Sequence, residues 1–304
     1  MTLDSPLVSI LILTMNHENF IEQACESAFS QTYPHLEIIL LDNASTDSTF
    51  ELAKEKLQQG NVPHKTYKNE NSFGVAKNLN FLLSKAQGKY VGILSGDDWW
   101  DPKMIAEKVN YIQEKKCDFV LSDGYKYWQE NGQLTEAYSG KDKEKVIGML
   151  GNFFHENVTE NRTVNVGTFV KKNVLDLHPF DETIQTEDWD MNLRLTHLGY
   201  TLGFIDKKLF YYRVLSGSLS RKWDVMQDAY RKVTAKYQDY IQSHPDLLRK
   251  YQLNLLKFKY EILLSENQDI EKRKEIKKQW TEEKYKLKYQ QPWLFFKLLL
   301  LKLK

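Results

Sequence analysis

The 304 residues carry 42 Lys/Arg against 41 Asp/Glu, with 41% hydrophobic and 13% aromatic side chains; that is enough for a sizeable core and excludes a mostly disordered chain. Two distant cysteines, Cys25 and Cys117, exclude a disulfide framework and a cysteine-rich zinc site, and suit a reducing compartment as buried thiols within helices. The net charge of +1 conceals an asymmetry: residues 241–304 hold 15 Lys/Arg against 8 Asp/Glu, an excess of +7, so the first 240 residues carry −6 and only the tail suits an anionic surface.

Met1 to Pro6 lack the basic start of a secretory leader, and no stretch is long enough to span a bilayer. The run Val8 to Leu13 is apolar almost throughout and predicts a buried parallel strand. Glu18 to Gln31 places Ile21, Ala24, Cys25, Ala28 and Phe29 on one helical stripe that Pro34 ends. A second buried strand, Glu37 to Leu41, runs into Asp42, and Ser45 or Thr46 is placed to cap the next helix. A third strand is expected over His64 to Lys68, a helix from Gly74 through Leu82, and a strand over Tyr90 to Leu94. After Asp101-Pro102 a helix to Cys117 and a strand over Asp118 to Ser122 follow.

Residues 124–163 are polar and aromatic, with one helix expected near Lys143 to Phe154. A strand at Val164 to Val170, a helix at Trp189 to Leu198 and two strands at Leu202 to Ile205 and Leu209 to Tyr212 complete the first domain. From Trp223 onward the pattern is helical. Strands alternating with helices predict a mainly parallel α/β sheet flanked by helices, over residues 1–222, with a helical extension over 223–304. Ligands of such sheets bind beyond the carboxyl ends of the strands. Asp42 and the Ser95-Gly96-Asp97-Asp98 turn both lie there.

Three acidic sites stand out: Asp42 to Asp47, Ser95 to Asp98, and Glu187-Asp188. Each alone has a plainer reading, as a turn, a surface bend or an acidic helix start; their recurrence at successive strand ends is what points to chemistry. Transfer of a sugar from a nucleotide diphosphate builds negative charge on the leaving group, which a hard cation on carboxylate oxygens neutralises. A hydroxyl acceptor also needs a separate carboxylate to take its proton.

The runs Val8 to Asn16, Ser30 to Pro34, Glu37 to Asp47, Asn71 to Gly74, Gly88 to Tyr90, Leu94 to Pro102, Phe180 to Glu182 and Glu187 to Asp190 together resemble the family two inverting glycosyltransferases, over about residues 7–220. The resemblance implies a GT-A (Rossmann-like) fold and nucleotide-sugar dependence, most readily on a UDP-sugar. It implies that Thr14, Asn16, Asp42, Lys77 and Asp97 contact the donor, with Asp42 on the base. Asp97 and Asp98 are expected at a Mg²⁺ or Mn²⁺ ion, and Asp188 as the base. Arg194 is expected to be structural.

The sequence departs from the family at three points. Ser95 replaces the first acid of the metal motif. Asn78-Leu79-Asn80 lacks the arginine expected near the diphosphate, leaving Lys77 as a point charge. Leu215 stands where relatives often carry histidine, with Arg213, Ser218 or Arg221 as replacements.

The apolar, lysine-bearing segment Gln291 to Lys304 suits an interfacial helix, or else packing on the body or on a second copy in a homodimer. Trp99, Trp100 and Trp189 suit core packing at least as well as stacking on a sugar. The expected partners are therefore a nucleotide-sugar donor, a saccharide or lipid-linked saccharide acceptor and a membrane surface, with no nucleic acid. The expected location is the cytoplasmic face of the plasma membrane, in bacterial surface polysaccharide synthesis. The competing classes are a nucleotidyltransferase, which would want a glycine-rich phosphate loop where Thr14-Met15-Asn16-His17 stands, and a non-catalytic binding or scaffold protein.

Overall fold

The computed structural model describes residues 5–218 and 222–289. The chain divides into two compact units, one formed by residues 1–154 and 162–216, the other by 155–161 and 217–304.

In the first unit β1 (Val8–Thr14) pairs in parallel with β2 (Leu36–Asp42) on one side and β4 (Tyr90–Ser95) on the other. Val8, Ile10, Leu11 and Ile12 have no exposed surface. A central strand covered by helices on both faces cannot alternate with polar residues, which is why this run is apolar throughout. Each such aliphatic side chain contributes roughly 1.5–3 kcal/mol on burial. Between them run α1 (Ile21–Phe29), α2 (Thr49–Gln58), the outer strand β3 (His64–Lys68) and α3 (Val75–Lys85).

The elements that follow up to residue 216 are β5 (Trp99–Trp100), α4 (Met104–Lys115), β6 (Phe119–Trp128), β7 (Gln133–Glu136), α5 (Gly140–Met149), α6 (Phe153–Asn157), whose last three residues belong to the second unit, β8 (Phe169–Lys171), α7 (Lys172–Leu177), α8 (Glu187–His197) and β9 (Leu202–Val214). The sheet has nine strands in the order β3-β2-β1-β4-β8-β6-β9-β5, with β7 paired to β6. β8 runs antiparallel to both of its neighbours and returns the chain across the middle of an otherwise mostly parallel sheet.

Several boundaries differ from the sequence-based expectation. Ser45 and Thr46 do not cap α2: it starts at Thr49, whose N–H is taken by Asp47 Oδ1 at 3.0 Å. Cys117 lies beyond the end of α4, although it is buried as expected. The strand expected over Val164 to Val170 is short, beginning only at Phe169. The two strands expected after residue 201 are one, β9. Its register against β6 slips around Asp123, so Asp206 and Lys207 bulge out and mimic a turn in the sequence.

The second unit is helical, with α9 (Trp223–Ala235), α10 (Gln238–Ser243), α11 (Pro245–Glu266) and α12 (Ile270–Lys288). Residues 155–161 join it through Thr159, whose carbonyl accepts Tyr230 Oη at 3.0 Å and Asn254 Nδ2 at 2.7 Å. α11 and α12 close on Tyr260, Leu264 and Ile276, with Trp280 stacked on Tyr260. Among the described residues no helix is long and apolar enough to cross a membrane. The segment expected at a membrane surface, Gln291 to Lys304, and Arg221 lie outside the described residues.

Candidate active site

The turns leaving β1 and β2 are locked together by side chains. Asn16 adopts a left-handed backbone (φ 55°), which asparagine tolerates better than most residues. Its N–H donates to Ser45 Oγ at 2.8 Å, and its Oδ1 accepts Thr46 N–H at 2.9 Å. Asn16, expected at the donor, thus spends its amide oxygen on holding two turns in register.

Asp42 ends β2 fully buried. Its Oδ1 accepts the Ser45 N–H at 2.8 Å, while among the described residues Oδ2 has no hydrogen-bond partner. A buried carboxylate oxygen without a donor costs about 1–3 kcal/mol or more, which makes this atom the least satisfied polar group of the β2 turn. Next to it Asn43 bridges to Phe73, taking the Phe73 N–H and donating to its carbonyl, both at 2.9 Å. Met15 and Phe73 remain 40% and 41% exposed beside this bridge, unusual for large apolar side chains. Lys77 is exposed on the first turn of α3, with its ammonium 3.9 Å from the centre of the Phe73 ring.

Asp97 follows β4, two positions along the sheet from Asp42 with β1 between them. Gly96 allows its turn to lie against β1, because a Cβ there would collide with the Thr14 side chain. Thr14 itself is buried and turns its Oγ1 to His17 Nδ1 at 3.3 Å. Ser95 Oγ donates to Asp97 Oδ1 at 2.5 Å, and Asp97 Oδ2 faces His17 Nε2 at 3.9 Å.

Asp98, assigned with Asp97 to the cation from sequence, is turned inward instead. Its Oδ1 accepts the Arg213 N–H at 2.8 Å, and burial beside the Asp97 charge pushes its pKa well above the carboxylate range. The Arg213 side chain holds the same turn from behind, donating to the Asp97 carbonyl, Gln129 and Gln23 while lying over Phe20 and Trp99. Trp99 stacks on Tyr211 with centroids 4.8 Å apart, and Trp100 and Trp189 are 2% and 3% exposed, so all three pack within the protein.

Asp188 stands on the first turn of α8. Its Oδ1 accepts its neighbour Trp189's N–H at 2.7 Å, and Oδ2 accepts Asn165 Nδ2 at 3.0 Å. Asn165 is oriented in turn by Asn192 Nδ2, which donates to its Oδ1 at 2.8 Å. Burial raises the Asp188 pKa, and burial together with the Asp188 charge raises Glu187 from 4.5 to about 8. Arg194, further along α8, donates to the Pro179 carbonyl at 2.8 Å.

The residues between Asn165 and β8 connect this group to the rest. β8 runs antiparallel to β4, and the Thr168 carbonyl accepts Ile93 N–H at 3.0 Å, so residues 165–168 cross the carboxyl end of β4. Behind them the fully buried Lys108 donates to the Gly167 and Val120 carbonyls, and burial lowers its pKa to about 7. Asp42 and Asp97 therefore lie at the carboxyl ends of β2 and β4, and the chain leading from Asn165 into β8 approaches β4 from that same end. Sequence reasoning did not single out Asn165, Asn192, His17, Gln23 or Gln129. Only Arg213 and the Thr14-to-His17 run were noticed, for other reasons.

The sequence that carries these acids at the carboxyl ends of β2 and β4 matches the Glycosyl transferase family 2 model over residues 9–171, more than half the chain. The chain belongs to that family. Among similar proteins, the glycosyltransferase GlyG of Streptococcus pneumoniae is 28% identical over 284 residues, covering 90% of this chain and 94% of GlyG. The Escherichia coli protein WfaP is 29% identical over 214 residues, covering 70% of this chain and 80% of WfaP. WfaP is described as a UDP-Glc:alpha-D-GlcNAc-diphosphoundecaprenol beta-1,3-glucosyltransferase. The structure of the Pyrobaculum calidifontis mannosyltransferase PcManGT, in complex with GDP-Man and Mn²⁺, superposes with a TM-score of 0.62 at 18% identity, over 78% of this chain and 65% of that one. At that identity the likeness establishes the GT-A fold.

Proposed function

We propose that this glycosyltransferase moves a sugar from a nucleoside diphosphate, a UDP-sugar first among them, to a hydroxyl acceptor with inversion at the anomeric carbon. The observation that carries this is the placement of Asp42 and Asp97 at the carboxyl ends of the two strands that flank β1, with Met15 and Phe73 exposed beside Asn43. An aromatic base suits two such exposed apolar side chains, and uracil is one. WfaP, at 29% identity, uses a UDP donor.

From Asp42 the nucleotide extends over β1 toward Asp97. The donor set there suits a hard divalent cation, because Ser95 fixes one Asp97 oxygen and leaves the other, which faces His17 at 3.9 Å, without a hydrogen bond from Ser95. Asp97 would hold the ion; Asp98 is buried and its Oδ1 accepts the Arg213 N–H. Such an ion, Mg²⁺ or Mn²⁺, neutralises charge on a departing diphosphate when bound. Lys77 adds a point charge on the same side.

Asp188 accepts the acceptor hydroxyl proton. Its Oδ1 is held by the Trp189 N–H and its Oδ2 by Asn165, which fixes the carboxylate plane before substrate arrives. Burial raises its pKa, bringing its basicity closer to what proton abstraction at neutral pH needs. A single carboxylate on the acceptor side makes a one-step in-line displacement, and hence inversion, the mechanism in keeping with these residues.

Lipid-linked or polymeric saccharides of a bacterial surface are the acceptor class that the relatives suggest. The basic, apolar C-terminal segment of the sequence supports a location at the inner membrane face. Two measurements test this. A panel of UDP- and GDP-sugars with Mn²⁺ should show nucleotide release for at least one donor, and Asp188→Asn should reduce it to background. Equal background rates in both proteins for every donor would overturn the proposal. Flotation with anionic liposomes should carry the full chain but not one ending at Tyr289.

A further inference from the structure

We infer that His17 is a second protein ligand to the cation at Asp97, making a mixed nitrogen–oxygen site. This rests on Asp97 being the metal-holding carboxylate, and it adds a residue that the sequence patterns leave unassigned. Three features of the turn converge on it. Gly96 brings the Asp97 turn so close to β1 that a Cβ would strike Thr14 and come within 3.0 Å of His17 Nδ1. Ser95 binds Asp97 Oδ1 and leaves Oδ2 as the oxygen that faces the imidazole. His17 Nε2 lies 3.9 Å from that oxygen, with the two side chains 20% and 18% exposed.

That distance is too long for a hydrogen bond. Neighbouring donors on an octahedral cation with bonds of about 2.1 Å lie roughly 3 Å apart, so the two side chains would close by about 1 Å around an ion. The other face of the ring is already arranged. Nδ1 stands 3.3 Å from the buried Thr14 Oγ1, so the tautomer protonated at Nδ1 donates there and presents the Nε2 lone pair toward Asp97. The remaining positions around the ion are left to diphosphate oxygens and water, the usual arrangement for nucleotide-bound cations.

The chemistry of the pair makes a selectivity prediction. Imidazole favours later first-row ions, whereas an all-oxygen set suits Mg²⁺. His17 would therefore bias the site toward Mn²⁺ or Co²⁺ over Mg²⁺. The His17 N–H anchors its turn on Thr49 Oγ1 at 2.7 Å without using the side chain, so substitutions of the ring should leave the turn folded.

The test uses the full chain with UDP and Mn²⁺, read by pulsed electron paramagnetic resonance and by titration. Wild type should show ¹⁴N coupling to the bound Mn²⁺. His17→Gln should lose that coupling and bind Mn²⁺ roughly tenfold more weakly, while a thermal melt confirms folding. His17→Asp should restore affinity without nitrogen coupling and shift preference toward Mg²⁺. Asp97→Ala should abolish Mn²⁺ binding. Mn²⁺ bound through Asp97 but without nitrogen coupling in wild type would overturn the His17 assignment and leave the Asp97 proposal standing. Mn²⁺ affinity indifferent to Asp97→Ala would overturn both.

Discussion

Asp42, at the end of β2, and Asp188, on the first turn of α8, are both acids fixed by hydrogen bonds, yet they are held in different ways. Asp42 is fixed by the backbone three residues on, the Ser45 N–H, inside a turn that follows directly from β2. Asp188 is fixed by Asn165, 23 residues earlier, which is itself set by Asn192 on the same helix as Asp188. On the β1–β2–β4 side, strand, turn and functional group are contiguous in sequence. Beyond β4 the chain reverses through β8, and the functional groups are assembled from segments far apart. The contiguous half should fail locally when mutated; the assembled half should transmit damage between distant residues.

The largest effect is expected at the assembled half. Asp188→Asn keeps the size of the side chain but removes the proposed base, and kcat should fall about 10²–10⁴-fold with donor KM little changed. A loss confined to KM would instead make Asp188 a binding residue. Next comes Asp42→Ala, which removes the partner of the Ser45 N–H and the open oxygen together. A cost of about 1–3 kcal/mol is expected, read as a donor KM raised roughly 5- to 150-fold with kcat nearly constant. Titration calorimetry with UDP should show the same loss if, as proposed, Asp42 contacts the nucleotide.

Asn165→Leu probes the long-range support. It deletes a donor to the Asp188 carboxylate, so the charged form loses stabilisation and the pKa, already raised by burial, should rise further. The rising limb of the kcat/KM–pH profile should move to higher pH, and kcat at neutral pH should fall about tenfold. Asn192→Leu should reproduce the shift in weaker form through the loss of orientation alone. If neither variant moved the limb, Asn165 would be a packing residue. Paired with Asp188→Asn, the Asn165 substitution should add almost nothing, since both act on one group.

This contrast also explains what was legible in the residues themselves. The strand run Val8 to Leu13, the Asp42 turn and the Ser95 to Asp98 turn were readable because periodicity and turn chemistry are local signals. The role of Ser45 and Thr46 was misassigned as helix capping, because a hydroxyl can serve either the next helix or a neighbouring turn and only the fold brings Asn16 beside them. Asn165 was hidden within an apparent strand, since Val164, Val166 and Val170 imitate the alternation of one. β9 looked like two strands because its bulge at Asp206 and Lys207 places charge in mid-strand. Asp98 looked like a second metal carboxylate by adjacency, and its actual partner, Arg213, lies 115 residues away.

Glu187 supplies the finest probe of the assembled half, because there a neighbour of the base carries a measurable energetic signature without contacting substrate. Burial and the Asp188 charge raise its pKa from 4.5 to about 8. Between those pH values the folded chain keeps a proton that the unfolded chain has released, so stability falls as pH rises through this window. The contribution is fully present below pH 4.5 and gone above about 8. Glu187→Gln cannot ionise and is free of this loss, so it should match wild type near pH 5 and exceed it at pH 9. The half-buried position and the relaxation of a coupled pair limit the difference to the order of 1–2 kcal/mol, less than the full linkage value. Thermal melts at the two pH values measure it directly. A difference that stays constant with pH would mean that Glu187 ionises in the folded state as readily as in solvent, and that the acidic start of α8 is open to water rather than set up to hold one poised base.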